Sequence, residues 1–94
     1  MLAIIATMKV RPGMEKEFET EASHLVAIVN AREPACKLYT LCRGTVPNTY
    51  VMLERYIDQA ALDYHRSTSH YKEVGSQIGR YVEGRVDVQI LTEV

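Results

Sequence analysis

The stretch Leu53-Glu54-Arg55-Tyr56-Ile57-Asp58-Gln59-Ala60-Ala61-Leu62-Asp63-Tyr64-His65-Arg66-Ser67-Thr68-Ser69-His70-Tyr71-Lys72 reads as a strand running into a capped helix. Asp58 suits the N-cap, because its carboxylate can accept from the free amides of the first turn. Ile57, Ala61, Leu62 and His65 then follow the spacing of one helical face, so His65 points where the apolar residues point. A titratable ring aimed at an apolar interior needs a hydrogen-bond partner or a chemical role.

Working outward, Leu2 to Val10 is apolar and β-branched and is stopped by Arg11-Pro12-Gly13, which predicts a strand and a turn. Met14, Phe18, Ala22, Leu25 and Val29 mark one long amphipathic helix, with Glu15, Glu17 and Glu19 near its start, and Glu33-Pro34 ends it. Cys36 to Arg43 and Thr49 to Tyr56 form a strand pair around Gly44-Thr45-Val46-Pro47-Asn48. The short helix runs from Asp58 to about His65. Ser67, Thr68 or Ser69 can cap a third helix with the face Tyr71, Val74, Ile78, Tyr81 and Val82, closed by Gly84. Val86, Val88 and Ile90 alternate in a last strand. The order β-α-β-β-α-α-β suits a single α+β domain over residues 1–94: a four-stranded antiparallel sheet with helices on one face.

The opposite face needs its own cover. The first strand carries Ile4, Ala6, Met8 and Val10 on one side and Ala3 and Ile5 on the other, a two-sided apolar pattern that implies burial of both. In a chain of 94 residues, a second copy of the sheet supplies that cover most simply, so we expect a homodimer through the open face.

Composition excludes several classes. A net charge of −1, from 11 basic and 12 acidic residues, offers no electrostatic reason to bind nucleic acid or an anionic membrane. No apolar run approaches the ~20 residues of a membrane span, and the start lacks a basic region typical of signal peptides. Cys36 and Cys42 are roughly 20 Å apart in an extended strand, too far to bridge, which reads as reduced thiols in a cytoplasmic protein. No GxGxxG, P-loop or nucleophile-elbow pattern gives a handle for a nucleotide, flavin or acyl-enzyme mechanism.

On the third strand, Tyr50, Met52, Glu54 and Tyr56 share one face, and Val51, Leu53, Arg55 and Ile57 the other. Alternation leaves open which set meets the helices. If the first does, Glu54 and Tyr56 lie beneath His65 and line a cleft, and a carboxylate beside an imidazole prepares a base. The bland alternatives are that Glu54 and His65 only satisfy each other, or that Glu54 pairs with an arginine across the dimer. Tyr50, Tyr56 and Tyr71 can line an aromatic pocket or simply pack. His70 stands at the cleft mouth or partly exposed at a helix start, and His24 lies off the apolar stripe. His65 and His70 straddle a helix break without metal-ligand spacing, so no metal is expected. Cys36 and Cys42 fall on one strand face with Leu38 and Thr40, as inert thiols.

Glu54, Tyr56, Asp58, Ala61, His65, Thr68 and His70 together resemble the signature of antibiotic-biosynthesis-monooxygenase-type domains, Glu-x-Tyr followed by an acidic cap and His-x-x-(Ser/Thr)-x-His. Val10-Arg11-Pro12-Gly13 and Glu33-Pro34-Ala35-Cys36 extend the likeness more weakly. The resemblance implies a ferredoxin-like fold dimerised into an α+β barrel. It also implies a cofactor-independent monooxygenase acting on a small aromatic quinol or polyphenol with molecular oxygen, needing neither flavin nor metal. His65 would then be the proton acceptor, Glu54 its orienting partner, and Tyr50 and Tyr56 ring contacts, with His70 and Tyr71 near the substrate. The run Tyr64 to Lys72 is also similar to enzymes that process a phosphorylated quorum-sensing signal, for which Lys37, Arg43, Arg66 and Lys72 can bind phosphate. Their helix-one histidine has no secure match here, since His24 is out of register and Val26 stands nearest. A non-catalytic ligand-binding dimer is the third reading. Haem degradation is disfavoured, because Ala6 and Tyr56 stand where such relatives have Asn and Trp.

Overall fold

The computed structural model describes residues 1–94. β1 (Leu2–Lys9), α1 (Glu15–Arg32), β2 (Cys36–Arg43), β3 (Thr49–Tyr56), α2 (Gln59–Ser67), α3 (Ser69–Gly79) and β4 (Asp87–Thr92) follow in the expected order. The sheet runs β2-β3-β1-β4, with every pairing antiparallel. This is the α+β ferredoxin-like arrangement. No helix is long and apolar enough to cross a membrane.

The local signals act as their chemistry requires. Asp58 accepts from the Ala61 amide at 2.9 Å and starts α2, while Thr68 accepts from the Tyr71 amide at 3.2 Å and starts α3. Gly13 closes the turn after β1 at φ +89°, a left-handed conformation that costs glycine little.

β3 alternates strictly, with Tyr50, Met52, Glu54 and Tyr56 buried beneath the helices, which resolves the face left open by alternation. Ile4, Ala6 and Met8 of β1, and Val10 just beyond it, share that side with Phe18, Ala22, Leu25 and Val29 of α1. On the other face, Ile5 pairs with Leu53, and both stay half-buried in the protomer.

Three expectations need correction. A register shift between Cys36 and Leu38 turns Cys36 to the helix side, opposite Tyr56, while Leu38 and Cys42 remain on the open face opposite Arg55 and Val51. The two thiols therefore lie on opposite faces. α3 stops at Gly79 rather than near Gly84: Val82 leaves the helix to bridge Val10, and Tyr81 accepts the Arg11 amide at 2.8 Å. Ile57 precedes α2 and is exposed, so the buried face of that helix is Ala61, Leu62 and His65.

Candidate active site

The site begins where α1 ends. A residue before proline is pushed out of the helical region, so Glu33, followed by Pro34, takes φ −117° and ψ 82° at the C-cap. That change of direction carries its carboxylate inward, where its side chain is only 2% exposed. Both carboxylate oxygens lie 3.0 Å from His65 Nδ1, and Oε2 lies 2.6 Å from His70 Nε2. A carboxylate only accepts, so each ring turns an N–H towards it. This assignment leaves His65 Nε2 as the unprotonated nitrogen.

His65 Nε2 has no protein partner, and no fully buried side-chain nitrogen or oxygen in the chain lacks one. The nitrogen therefore opens onto the adjoining cavity of about 510 Å³, which His65 lines. Its floor is Ile4, Ala6 and Met8 of β1 with Met52 and Glu54 of β3. Tyr39 of β2 and Tyr71 of α3 form its aromatic end, and Arg66 and Lys72 bring positive charge. Gly75, Ser76 and Gly79 give α3 a low wall, and a Cβ added at either glycine would meet nothing within 4 Å. Val86 and Val88 close the far side only partly and remain exposed.

Three tyrosine rings surround the imidazole, with centroids 4.8 Å (Tyr71), 5.1 Å (Tyr39) and 5.5 Å (Tyr56) from it. Burial lowers the pKa of His65, against the opposing pull of the Glu33 hydrogen bond. The ring is consequently neutral at pH 7, the state a proton acceptor requires. Burial pushes the Glu54 carboxyl up to about 7, opposed by the Tyr56 hydroxyl donating at 2.5 Å and by the charge of Arg66. Burial also raises the Tyr39 and Tyr56 phenols, so both keep their protons at neutral pH. It pushes the Cys36 thiol up to about 11, so this cysteine is no nucleophile at neutral pH.

The model of the antibiotic biosynthesis monooxygenase family matches residues 1–76, which include every group bonded to Glu33. The chain belongs to this family. YcnE of Bacillus subtilis (strain 168), provisionally named a monooxygenase, is 35% identical over 72 residues, spanning 77% of this chain and 76% of YcnE. Rv0793 of Mycobacterium tuberculosis, named in the same way, is 29% identical over 90 residues, spanning 96% and 88%. A crystal structure from Caulobacter crescentus CB15, provisionally named an antibiotic biosynthesis monooxygenase, superposes with a TM-score of 0.96 at 35% identity. The match covers 99% of this chain and 89% of that one.

Within this family member, the expected residues separate. His65, Glu54 and Tyr71 do line one cavity. Glu54 does not orient His65, however; it is bonded to Tyr56, two residues along the same strand face, and Glu33 holds the ring. Tyr56 is fully buried and supports Glu54 from behind. Tyr50 lies away from the cavity: its ring packs 4.7 Å from Phe18, and its hydroxyl donates to Glu19 at 2.5 Å. His70 faces Glu33 rather than the cavity mouth, and His24 is exposed. Of the four cations considered for phosphate, Arg66 and Lys72 line the cavity, whereas Lys37 does not and Arg43 is paired with Glu19.

Sequence reasoning missed Glu33 and Tyr39. Glu33-Pro34 was legible as a helix stop and Glu33-Pro34-Ala35-Cys36 as a weak part of the family likeness, and the pre-proline constraint hinted that the carboxylate turns away from the helix surface. Tyr39 sits directly opposite Glu54 in the β2–β3 register.

Proposed function

We propose that this family member oxygenates a small aromatic quinol or polyphenol in the cavity beside His65. The observation that supports this is the imidazole whose Nδ1 is held by Glu33 while Nε2, without a protein partner, opens onto a largely apolar cavity. His65 Nε2 takes a phenol proton, leaving an electron-rich phenolate that passes an electron to oxygen. The two radicals join at a ring carbon, the imidazolium returns its proton to give a hydroperoxide, and the O–O bond breaks with loss of water. One oxygen atom ends on the ring as a hydroxyquinone, the other in water, and the quinol supplies all four electrons. The protein's contribution is a largely apolar cavity, a placed base and donors such as the Tyr39 hydroxyl.

The experiment is oxygen uptake with a panel of quinols under ¹⁸O₂. One oxygen consumed per quinol, with a single labelled atom in the product, is the expected result. A second reading, isomerisation of a small phosphorylated molecule, draws on Arg66 and Lys72 at the cavity. Such an isomerase turns over under nitrogen, where the oxygenation stops. Recovery of every quinol unchanged in air, although bound, would leave only a ligand-binding role.

The reading includes a homodimer through the open sheet face, where Ile5 and Leu53 are half-buried and Leu38 and Leu91 are exposed. Sedimentation should give twice the protomer mass, and Leu53→Glu should shift it to the monomer. A wild-type monomer at micromolar concentration would remove this part of the reading.

A further inference from the structure

The carboxylate of Glu33 holds two histidines whose remaining nitrogens face different places. His65 Nε2 looks into the cavity. His70 Nδ1, like His65 Nε2, has no protein partner in a chain without unpartnered buried side-chain polar atoms. His70 is also the outermost of the three, its side chain 11% exposed against 2% for each of the other two. We propose that Glu33 couples the two rings, so that His70 releases a proton to solvent when His65 takes one from a substrate hydroxyl. The substrate step rests on His65 being the base; the coupling itself is a property of the resting protein.

The physical argument concerns charge. One carboxylate neutralises one imidazolium, and two imidazolium rings against the same carboxylate repel each other in a site that solvent barely reaches. The 2.6 Å contact to His70 is the length of a charge-assisted bond, whereas the contacts to His65 are 3.0 Å. In this proposal the resting positive charge lies on His70, the more exposed of the two rings. When a phenol O–H bond breaks and an N–H bond forms at His65 Nε2, the Nδ1–H of His70 passes to water. The trio keeps one negative and one positive charge throughout. No proton crosses Glu33, so neither ring changes the N–H that faces it, and the exchange reverses when His65 returns its proton.

The other groups around His65 and its cavity are Tyr39 from β2, Glu54 and Tyr56 from β3, Arg66 on α2, and Tyr71 and Lys72 on α3. Of these only Glu54, Arg66 and Lys72 carry charge near neutral pH. Glu54 is bonded to Tyr56, and neither it nor Arg66 bonds to Glu33. Glu33 is thus the one group that bonds both rings.

The test is an imidazole ¹⁵N titration by NMR of the whole chain, without substrate. In His70→Asn, His65 no longer competes for the carboxylate, and its midpoint should rise by about one pH unit, about tenfold in proton affinity. Glu33→Gln should lower it instead. A His65 midpoint unmoved by His70→Asn and by a second variant, His70→Gln, overturns the coupling. A failed oxygen-uptake assay beside a shifted midpoint would instead remove the substrate chemistry and leave the coupling standing.

Discussion

Replacing His65 with alanine should reduce quinol oxygenation by about 10²- to 10⁴-fold, the usual contribution of a placed general base. The loss should fall on kcat more than on KM, because the cavity floor and the tyrosines at its end remain to bind the ring. His65 is 1% exposed and lies among three tyrosines, so the alanine variant also loses packing. His65→Gln retains most of the volume and lacks a titratable nitrogen, which separates lost chemistry from lost folding. Stopped-assay rates on both variants, with circular dichroism to count folded protein, provide the measurement. Turnover within a few fold of wild type in either variant would remove His65 as proton acceptor. The wild-type rate should also persist on the acid side of the ordinary histidine range and fall only as His65 is protonated. Burial lowers that group, so it stays neutral below pH 6.5.

Glu54→Gln is expected to change how stability depends on pH, by up to ~3 kcal/mol. In the folded chain this carboxyl keeps its proton to about pH 7, and in the unfolded chain only to about 4.5. Between those values the folded state binds more protons than the unfolded one, so this group's contribution to stability falls as pH rises through the window. Below about 4.5 there is no penalty; above about 7 it is complete. Glutamine cannot ionise, and its amide oxygen can still accept from the Tyr56 hydroxyl. The variant should match wild type near pH 4 and exceed it at pH 8. His65 acts with the opposite sign, since its lowered pKa makes the unfolded state the better proton binder and stability rises with pH up to about 6.5. The comparison of variant with wild type cancels that contribution. Urea unfolding at both pH values measures the effect, and an equal difference at pH 4 and pH 8 would refute it.

The same carboxyl illustrates how far local reading reaches. Glu54 and Tyr56 were recognisable as neighbours on one face, because strand alternation is a property of adjacent residues. Their mutual hydrogen bond follows from that spacing. The assignment of Glu54 to His65 failed because nothing local states which of two carboxylates comes closer to a helix packed above the sheet. Glu33 is 32 residues from His65 and 37 from His70, and the three meet only after α1 has packed on the sheet and its end has turned.

By itself the sequence determined the element order, the cap at Asp58, the inward stripe of α1 and the inward aim of His65, and it narrowed the α3 cap to Ser67, Thr68 or Ser69. All of these depend on periodicity or on hydrogen bonds within a few residues. Only the tertiary structure decided which face of β3 lies under the helices, because alternation sets parity without setting side. It also decided that one extra residue after Cys36 reverses that thiol's face, that Tyr50 belongs to Phe18 and Glu19, and that α3 yields early so Val82 can reach Val10. The pairing of Glu33 with both histidines belongs to this second group, since a buried carboxylate takes whichever donors the packed elements bring to it.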